Sequence, residues 1–300
     1  MHHPPLPRSL RALLDQVVDY AGLFPPAGLG MTEAVARYAA YTADPDAWML
    51  GRFVVPASRL DEFAGAARPH LRGGARWRLS ALVGPETGDD LARVAEFDAG
   101  IGGVDGAVVD TVEAKVATPA GVERLAAALP PGITAFVEIP ASADPAPLLA
   151  AVAAARLAAK VRTGGVTGEL FPSAGSLARF LGACLDARVP FKATAGLHHP
   201  LRAEYRLTYE AGSAECTMFG YVNLFLAAVL LREGMPAAEL PTLLEERDAG
   251  RLRFTDDGVR WGDHAATTDA IAEARARFAI SFGSCSFREP VDEARLLWGR

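Results

Sequence analysis

Residues Ile133–Thr194 read ITAFVEIPASADPAPLLAAVAAARLAAKVRTGGVTGELFPSAGSLARFLGACLDARVPFKAT. Three short apolar runs stand out: Ile133–Ile139, Ala158–Val161 and Pro190–Thr194. Between them, Pro145–Arg156 and Ala174–Ala187 place apolar residues at helical spacing. Strands that recur with a helix between them need right-handed crossovers and make a parallel sheet. The same alternation continues outward. Candidate strands are Arg52–Val55, Trp77–Val83, Gly106–Val109 and Phe278–Phe282, with Asp19–Phe24 as a first strand or its loop. Helix-like stretches are Met31–Tyr41, Ser58–Ala67, Asp89–Phe97, Ala120–Leu129 and Ala265–Arg277. Eight strand slots in 300 residues predict an α/β fold, a (β/α)8 TIM barrel. A doubly wound open sheet is disfavoured because no GxGxxG follows an early strand. The glycine-rich Gly100–Gly106 (GIGGVDG) precedes a strand instead of opening a helix.

One stretch breaks the alternation. Tyr221–Arg232 is apolar all round and reads as a buried helix that could also serve as a subunit contact. Arg251–Trp261 reads as a hairpin with Asp257-Gly258 at its turn. Residues 203–263 are therefore expected to be an insertion, helix plus β-hairpin, before the last strand. No linker of low complexity and no internal repeat interrupts the chain, so residues 1–300 are expected to form a single barrel domain.

Composition narrows the class. Half the residues are hydrophobic and 22% are charged, which excludes a disordered chain. A net charge of −6 argues against a nucleic-acid surface. Three separated cysteines, Cys184, Cys216 and Cys285, make neither a disulfide framework nor a metal knuckle. The longest clean apolar run, Leu224–Leu231, is too short to cross a bilayer. The first twenty residues lack the pattern of a secretory signal. A cytoplasmic protein without membrane or nucleic-acid partners is expected, with homo-oligomer formation left open. Only Lys115, Lys160 and Lys192 are lysines, whereas 27 residues are arginines. Against that bias, a retained lysine suggests chemistry that arginine cannot perform, because lysine can lose its proton when desolvated. Lys115, beside Glu113 in a polar stretch, reads as a solvated residue.

Barrel enzymes gather reactive groups at the C-terminal ends of their strands, where side chains alternate in and out. Glu138 is in phase with Phe136 and Thr134. Lys160 shares a face with Arg162, and Lys192 shares one with Thr194. If those faces point inward, Glu138, Lys160, Arg162 and Lys192 converge on one mouth. Crowded cations disfavour the protonated form of the least solvated lysine, leaving an amine able to attack a carbonyl. Glu138 would relay protons, and Arg162 offers a fork for a carboxylate or phosphate. A purely structural ion-pair cluster is the competing reading.

AAKVRTGG (158–165), followed about thirty residues later by VPFKATAGLHH (189–199), resembles the paired lysine motifs of deoxyribose-phosphate aldolase and related class I aldolase barrels. The resemblance implies an aldolase-like lyase in which Lys160 forms a Schiff base and Lys192 tunes it. ITAFVEIP resembles that family's glutamate-ending fifth strand. DYAGLF (19–24) resembles its opening motif, which brings in Asp19, and Asp110 could match a fourth-strand aspartate. The match covers the middle third of the chain. Arg162 stands where the family has a small hydroxyl residue, which points to a distinct family on the same scaffold.

Thr163, Gly164, Thr194 and Gly196 beside the lysines are candidate substrate-binding positions. His198 and His199 follow the seventh strand, and adjacent histidines on extended backbone point apart, so shared metal ligation is disfavoured. In the turn after the last strand, Gly283, Ser284, Cys285 and Ser286 suit an anion cradle as well as a plain capped turn. Free cysteine is more often a small buried hydrophobe than a reactive thiol. The expected ligand is a small anionic molecule, with no cofactor. The alternatives are a divalent-metal barrel hydrolase or isomerase using Glu138 with His198 or His199, and a non-catalytic protein that binds anionic metabolites.

Overall fold

A computed structural model describes residues 5–71, 76–84, 87–100, 106–141 and 144–299. Residues 101–105, the centre of the glycine-rich stretch, lie outside the described residues. Eight parallel strands close into a barrel: β1 (Val18–Tyr20), β2 (Leu50–Pro56), β3 (Trp77–Val83), β4 (Ala107–Ala114), β5 (Thr134–Ile139), β6 (Ala158–Arg162), β7 (Phe191–Thr194) and the last strand, Ala279–Ser284. The last strand lies between β1 and β7. The barrel expected from the alternation is therefore the observed fold.

The helices form where amphipathic runs meet stop and start signals. Thr118 caps one helix by accepting from the Gly121 N–H, with Pro119 pre-set for the first turn. Ser173 caps the helix Ala174–Asp186 by accepting from Ser176 N–H. Thr267 does the same for Thr268–Arg277 with Ala270 N–H.

The excursion before the last strand is richer than one helix and one hairpin. A two-stranded hairpin comes first, β8 (Ala203–Arg206) with β9 (Glu215–Met218). The helix Tyr221–Arg232 follows. Eleven of its twelve residues are buried, as an all-round apolar helix requires. Its one interior polar group is satisfied: Asn223 donates to the carbonyls of Leu243 and Glu246 and accepts from the Arg202 N–H. The expected Asp-Gly hairpin is present as β10 (Arg253–Phe254) and β11 (Gly258–Trp261), and β12 (His264–Thr267) extends it into a third strand. The start of the expected helix Ala265–Arg277 is thus strand. No helix among the described residues is long and apolar enough to cross a membrane.

Two features of the frame position the site. At the N-terminal end, the Arg275 guanidinium donates to the carbonyls of Leu13, Asp15, Ala279 and Ile280, tying the last strand to the first helix. Asp110 is gripped by Arg52 and Arg78, both 2.6 Å away, and it belongs to this ion network instead of the mouth. The second feature is a bulge in β4. Arg78 pairs with Val108, but Ser80, on the same face of β3, pairs with Thr111. One extra residue resets the in–out alternation, so that Thr111 and Glu113 face the same way as Ser80.

Candidate active site

Glu138, Lys160 and Lys192 lie in register on β5, β6 and β7 and project into the barrel together. Asp19 reaches them from β1 and Glu113 from β4. Opposite charges alternate along a buried row. Lys192 Nζ donates to Asp19 Oδ2 and to Glu113 Oε1, each at 2.6 Å. Lys160 Nζ donates to Glu113 Oε2 at 3.1 Å and touches Glu138 Oε2 at 2.9 Å. At the open end, Glu138 Oε1 is 3.6 Å from Arg162 and 3.8 Å from Lys115. Hydroxyls fill remaining lone pairs: Ser281 donates to Asp19 and Ser80 to Glu113, both at 2.7 Å, while the Arg52 backbone N–H donates to Asp19 at 2.8 Å. Glu138 Oε2 has no partner among the described residues beyond its 2.9 Å contact with Lys160.

The electrostatics follow from this pairing. Burial would lower the Lys192 ammonium, but Asp19 and Glu113 outweigh it and hold the group above the ordinary lysine value. Burial would likewise raise Glu113, and the two ammoniums pull it far below the carboxylate range. Glu138 also ends below its ordinary value, with Lys160 as its main opposing charge against burial. The expected crowd of bare cations is replaced by three carboxylates shared between two lysines.

A cavity of about 320 Å³ opens above this row. Residues at or just beyond the C-terminal ends of all eight strands line it, including Ala21, Val54, Leu82, Glu113, Glu138, Lys160, Thr194 and Gly283. Arg162 and Lys115 stand at its rim, and Phe24, Val166 and Leu170 supply apolar wall. His198 and Cys285 also line it.

Several expected binding positions are spent on the scaffold. The Thr163 hydroxyl donates to the Ala195 carbonyl at 2.6 Å. That contact pins Ala195, which has a positive φ of 62°. Gly196 follows at φ 72°, and a Cβ there would lie 2.8 Å from Gly164 Cα, so the two glycines let their loops touch. The Ser284 hydroxyl accepts from the Ser286 N–H, and the Ser286 hydroxyl from the Glu289 N–H, so both hydroxyls support the turn into the final helix, Arg288–Trp298. That helix also supplies partners for both histidines. His198 Nδ1 lies 3.2 Å from Glu289, and His199 Nδ1 lies 2.8 Å from Glu293. The histidines thus pair with Glu289 and Glu293 instead of joining Glu138 in a metal set. His199, Glu289 and Glu293 each place a potential ligand atom within 4.8 Å of the others. Both oxygens of Glu293 contact His199 Nδ1, at 2.8 and 2.9 Å, and the ring stacks on Tyr205.

Sequence reasoning missed Glu113, Glu289, Glu293 and Tyr209, whose hydroxyl lies 3.5 Å from Cys285 Sγ and donates to Glu289 at 3.0 Å. Glu113 sits in DTVEA, where alternation of Thr111 and Glu113 is the visible signal of a continuing strand. Glu289 and Glu293 share a helix face by their spacing of four. Nothing local singles out Tyr209.

No protein-family model matches the chain. No curated protein matches it either. Among solved structures it is similar to the spore cortex-lytic enzyme SleL of Bacillus cereus, with 9% identity and a TM-score of 0.41, over 95% of this chain and 74% of that one. The expectation of a Schiff-base lyase is corrected here. Its mechanism rests on like charges stripping a lysine of its proton, whereas Glu113 stands between the two amines and each lysine contacts two carboxylates.

Proposed function

We propose that the chain is a barrel-mouth enzyme that moves a proton on a small anionic molecule, with Glu138 as base and Lys160 as its electrostatic partner. The observation that carries this reading is the buried row Asp19–Lys192–Glu113–Lys160–Glu138, which ends at the cavity in Glu138, with one carboxylate oxygen 2.9 Å from Lys160 and the other turned to Arg162 and Lys115 at the open end. A carboxylate below its ordinary pKa is ionised at neutral pH and able to accept a proton. A substrate carboxylate would sit between Arg162 and Lys115, whose charges are balanced only by Glu138 in this cluster. Glu138 would take a proton from the carbon next to that group, and the Lys160 ammonium would hold the negative charge that develops on oxygen. Lys192, Asp19 and Glu113 position Lys160 and are positioning residues.

The test is solvent exchange. The protein is incubated in heavy water with a panel of small hydroxy-, keto- and dicarboxylic acids, and loss of the C–H signal is followed by NMR. Exchange of at least one acid, abolished in Glu138→Gln, is expected. No exchange across the panel, or exchange that persists in Glu138→Gln, overturns the reading.

A further inference from the structure

Cys285 is the first residue after the last barrel strand, and it precedes the helix Arg288–Trp298 by three positions. Its surroundings differ from those of the other thiols. Cys184 is buried in the helix Ala174–Asp186, and burial alone pushes its thiol up. Cys216 points at the carbonyl of its neighbour Thr217. Cys285 Sγ instead lies 3.9 Å from His198 Nδ1 and 3.5 Å from the Tyr209 hydroxyl. Behind them, Glu289 Oε2 is 3.2 Å from His198 Nδ1 and accepts from Tyr209 at 3.0 Å. Two separate segments therefore converge on one sulfur, the loop after β7 and the β8–β9 hairpin, and the final helix backs both through Glu289. The sulfur and the imidazole both line the cavity, which Glu113, Glu138 and Lys160 of the charged row enter from β4, β5 and β6.

The groups facing Sγ are His198, Tyr209, Glu289 beyond them, Tyr20 from β1 and the Ala27 backbone N–H. Burial works against the thiolate, but His198, Tyr209 and Ala27 outweigh it and hold the thiol below its ordinary value. The imidazole moves the other way. Burial would lower it, and Cys285 with Glu289 raises it to about 9.

We propose that Cys285, with His198 as its proton partner, is a nucleophile that takes an acyl group from an activated ester or thioester of a small acid. Sulfur forms a bond to the acyl carbon, and the bond from that carbon to the leaving oxygen or sulfur breaks. The leaving group carries away the electron pair and takes the proton from His198, which becomes neutral. In the return step neutral His198 accepts a proton from water, hydroxide adds to the acyl carbon, and Cys285 leaves as thiolate. No oxidant, reductant or metal enters the balance. This activity stands apart from proton transfer by Glu138 and does not depend on it.

The experiment uses the full, reduced chain. Iodoacetamide labelling is followed by peptide mass at Cys184, Cys216 and Cys285 between about pH 5 and pH 9. Cys285 is expected to react first and to keep its rate below neutrality, where an ordinary thiol loses roughly tenfold per pH unit. His198→Gln should slow Cys285 labelling near pH 6 by roughly tenfold or more and restore an ordinary profile. With p-nitrophenyl acetate, a burst of nitrophenolate should leave one acetyl group on Cys285. Cys285→Ala should abolish both. A Cys285 labelling rate in the wild-type chain that falls with pH like an ordinary thiol's overturns the proposal, and so does acetyl transfer confined to lysines. The wild-type profile decides the matter even if a variant fails to fold.

Discussion

Glu113→Gln probes the centre most directly. The side chain is only 3% exposed and takes hydrogen bonds from Lys192 at 2.6 Å, Lys160 at 3.1 Å and Ser80 at 2.7 Å. Glutamine keeps the shape but removes the charge between two buried ammoniums. Breaking a buried pair by neutralising one partner costs about 3–5 kcal/mol, because the other charge is left uncompensated. At roughly 2–4 °C per kcal/mol for chains of about this size, the midpoint of thermal unfolding should fall by about 6–20 °C near neutral pH. The pH dependence has a definite sign. The folded-state pKa of Glu113 lies below its ordinary value of 4.5, so its contribution is complete above that value and is lost as the pH falls below it. The gap between wild type and Glu113→Gln should therefore narrow on acidification below about pH 4.5 and stay constant above about pH 6. Glu113→Gln combined with Lys192→Met should add to the loss, since it also strands the buried Asp19 carboxylate that Lys192 holds at 2.6 Å. Scanning calorimetry at several pH values reads all three effects. Equal stability of the single variant and wild type at neutral pH, or a gap that does not change in acid, would refute the charge-pairing account.

Three other perturbations test separate parts of the structure. The His198 C2–H resonance should titrate near 9, and Glu289→Gln should move that midpoint down; a midpoint near 6.5 in wild type contradicts the pairing. Gly196→Ala forces a side chain into a positive-φ site 2.8 Å from Gly164 Cα, and should cost roughly 1–3 kcal/mol in urea unfolding. An unchanged midpoint would show that the loops can separate freely. Arg275→Met strands four carbonyls at the N-terminal end of the barrel and should cost roughly 3–5 kcal/mol while leaving Cys285 labelling kinetics unchanged.

The barrel was legible because periodicity reports which faces are apolar, and parallel strands between helices leave a strong trace. Six of the strand slots needed only small changes at their ends, and in the first, Asp19–Phe24, the strand ends at Tyr20 and the rest is loop. The fourth needed more. Gly106–Val109 stops where polar residues begin, but the strand runs to Ala114 because Asp110 pairs with Arg52 and Arg78, Thr111 donates to Asp110, and Glu113 finds its partners inside the barrel. Hydropathy cannot show a buried charge whose counter-charges come from β6 and β7. The inward phase of Glu138, Lys160 and Lys192 could be read from alternation, whereas their charge state could not. It depends on Asp19 and Glu113, which lie 173 and 79 residues from Lys192. The pairing of His198 with Glu289 has the same origin, since it joins residues separated by ninety-one positions that only closure of the last strand brings together.

The irregularity in β4 makes the centre sensitive to chain length at a single point. A one-residue insertion between Thr111 and Glu113, just past the bulge, would leave the sequence almost unchanged and the barrel closed, yet it would rotate Glu113 toward the surrounding helices. Two lysines would then face each other across an acid-free gap. Insertions and deletions are absorbed easily in the outlying hairpins, but in this strand a shift of one residue would separate a working descendant from an inert one of nearly identical sequence.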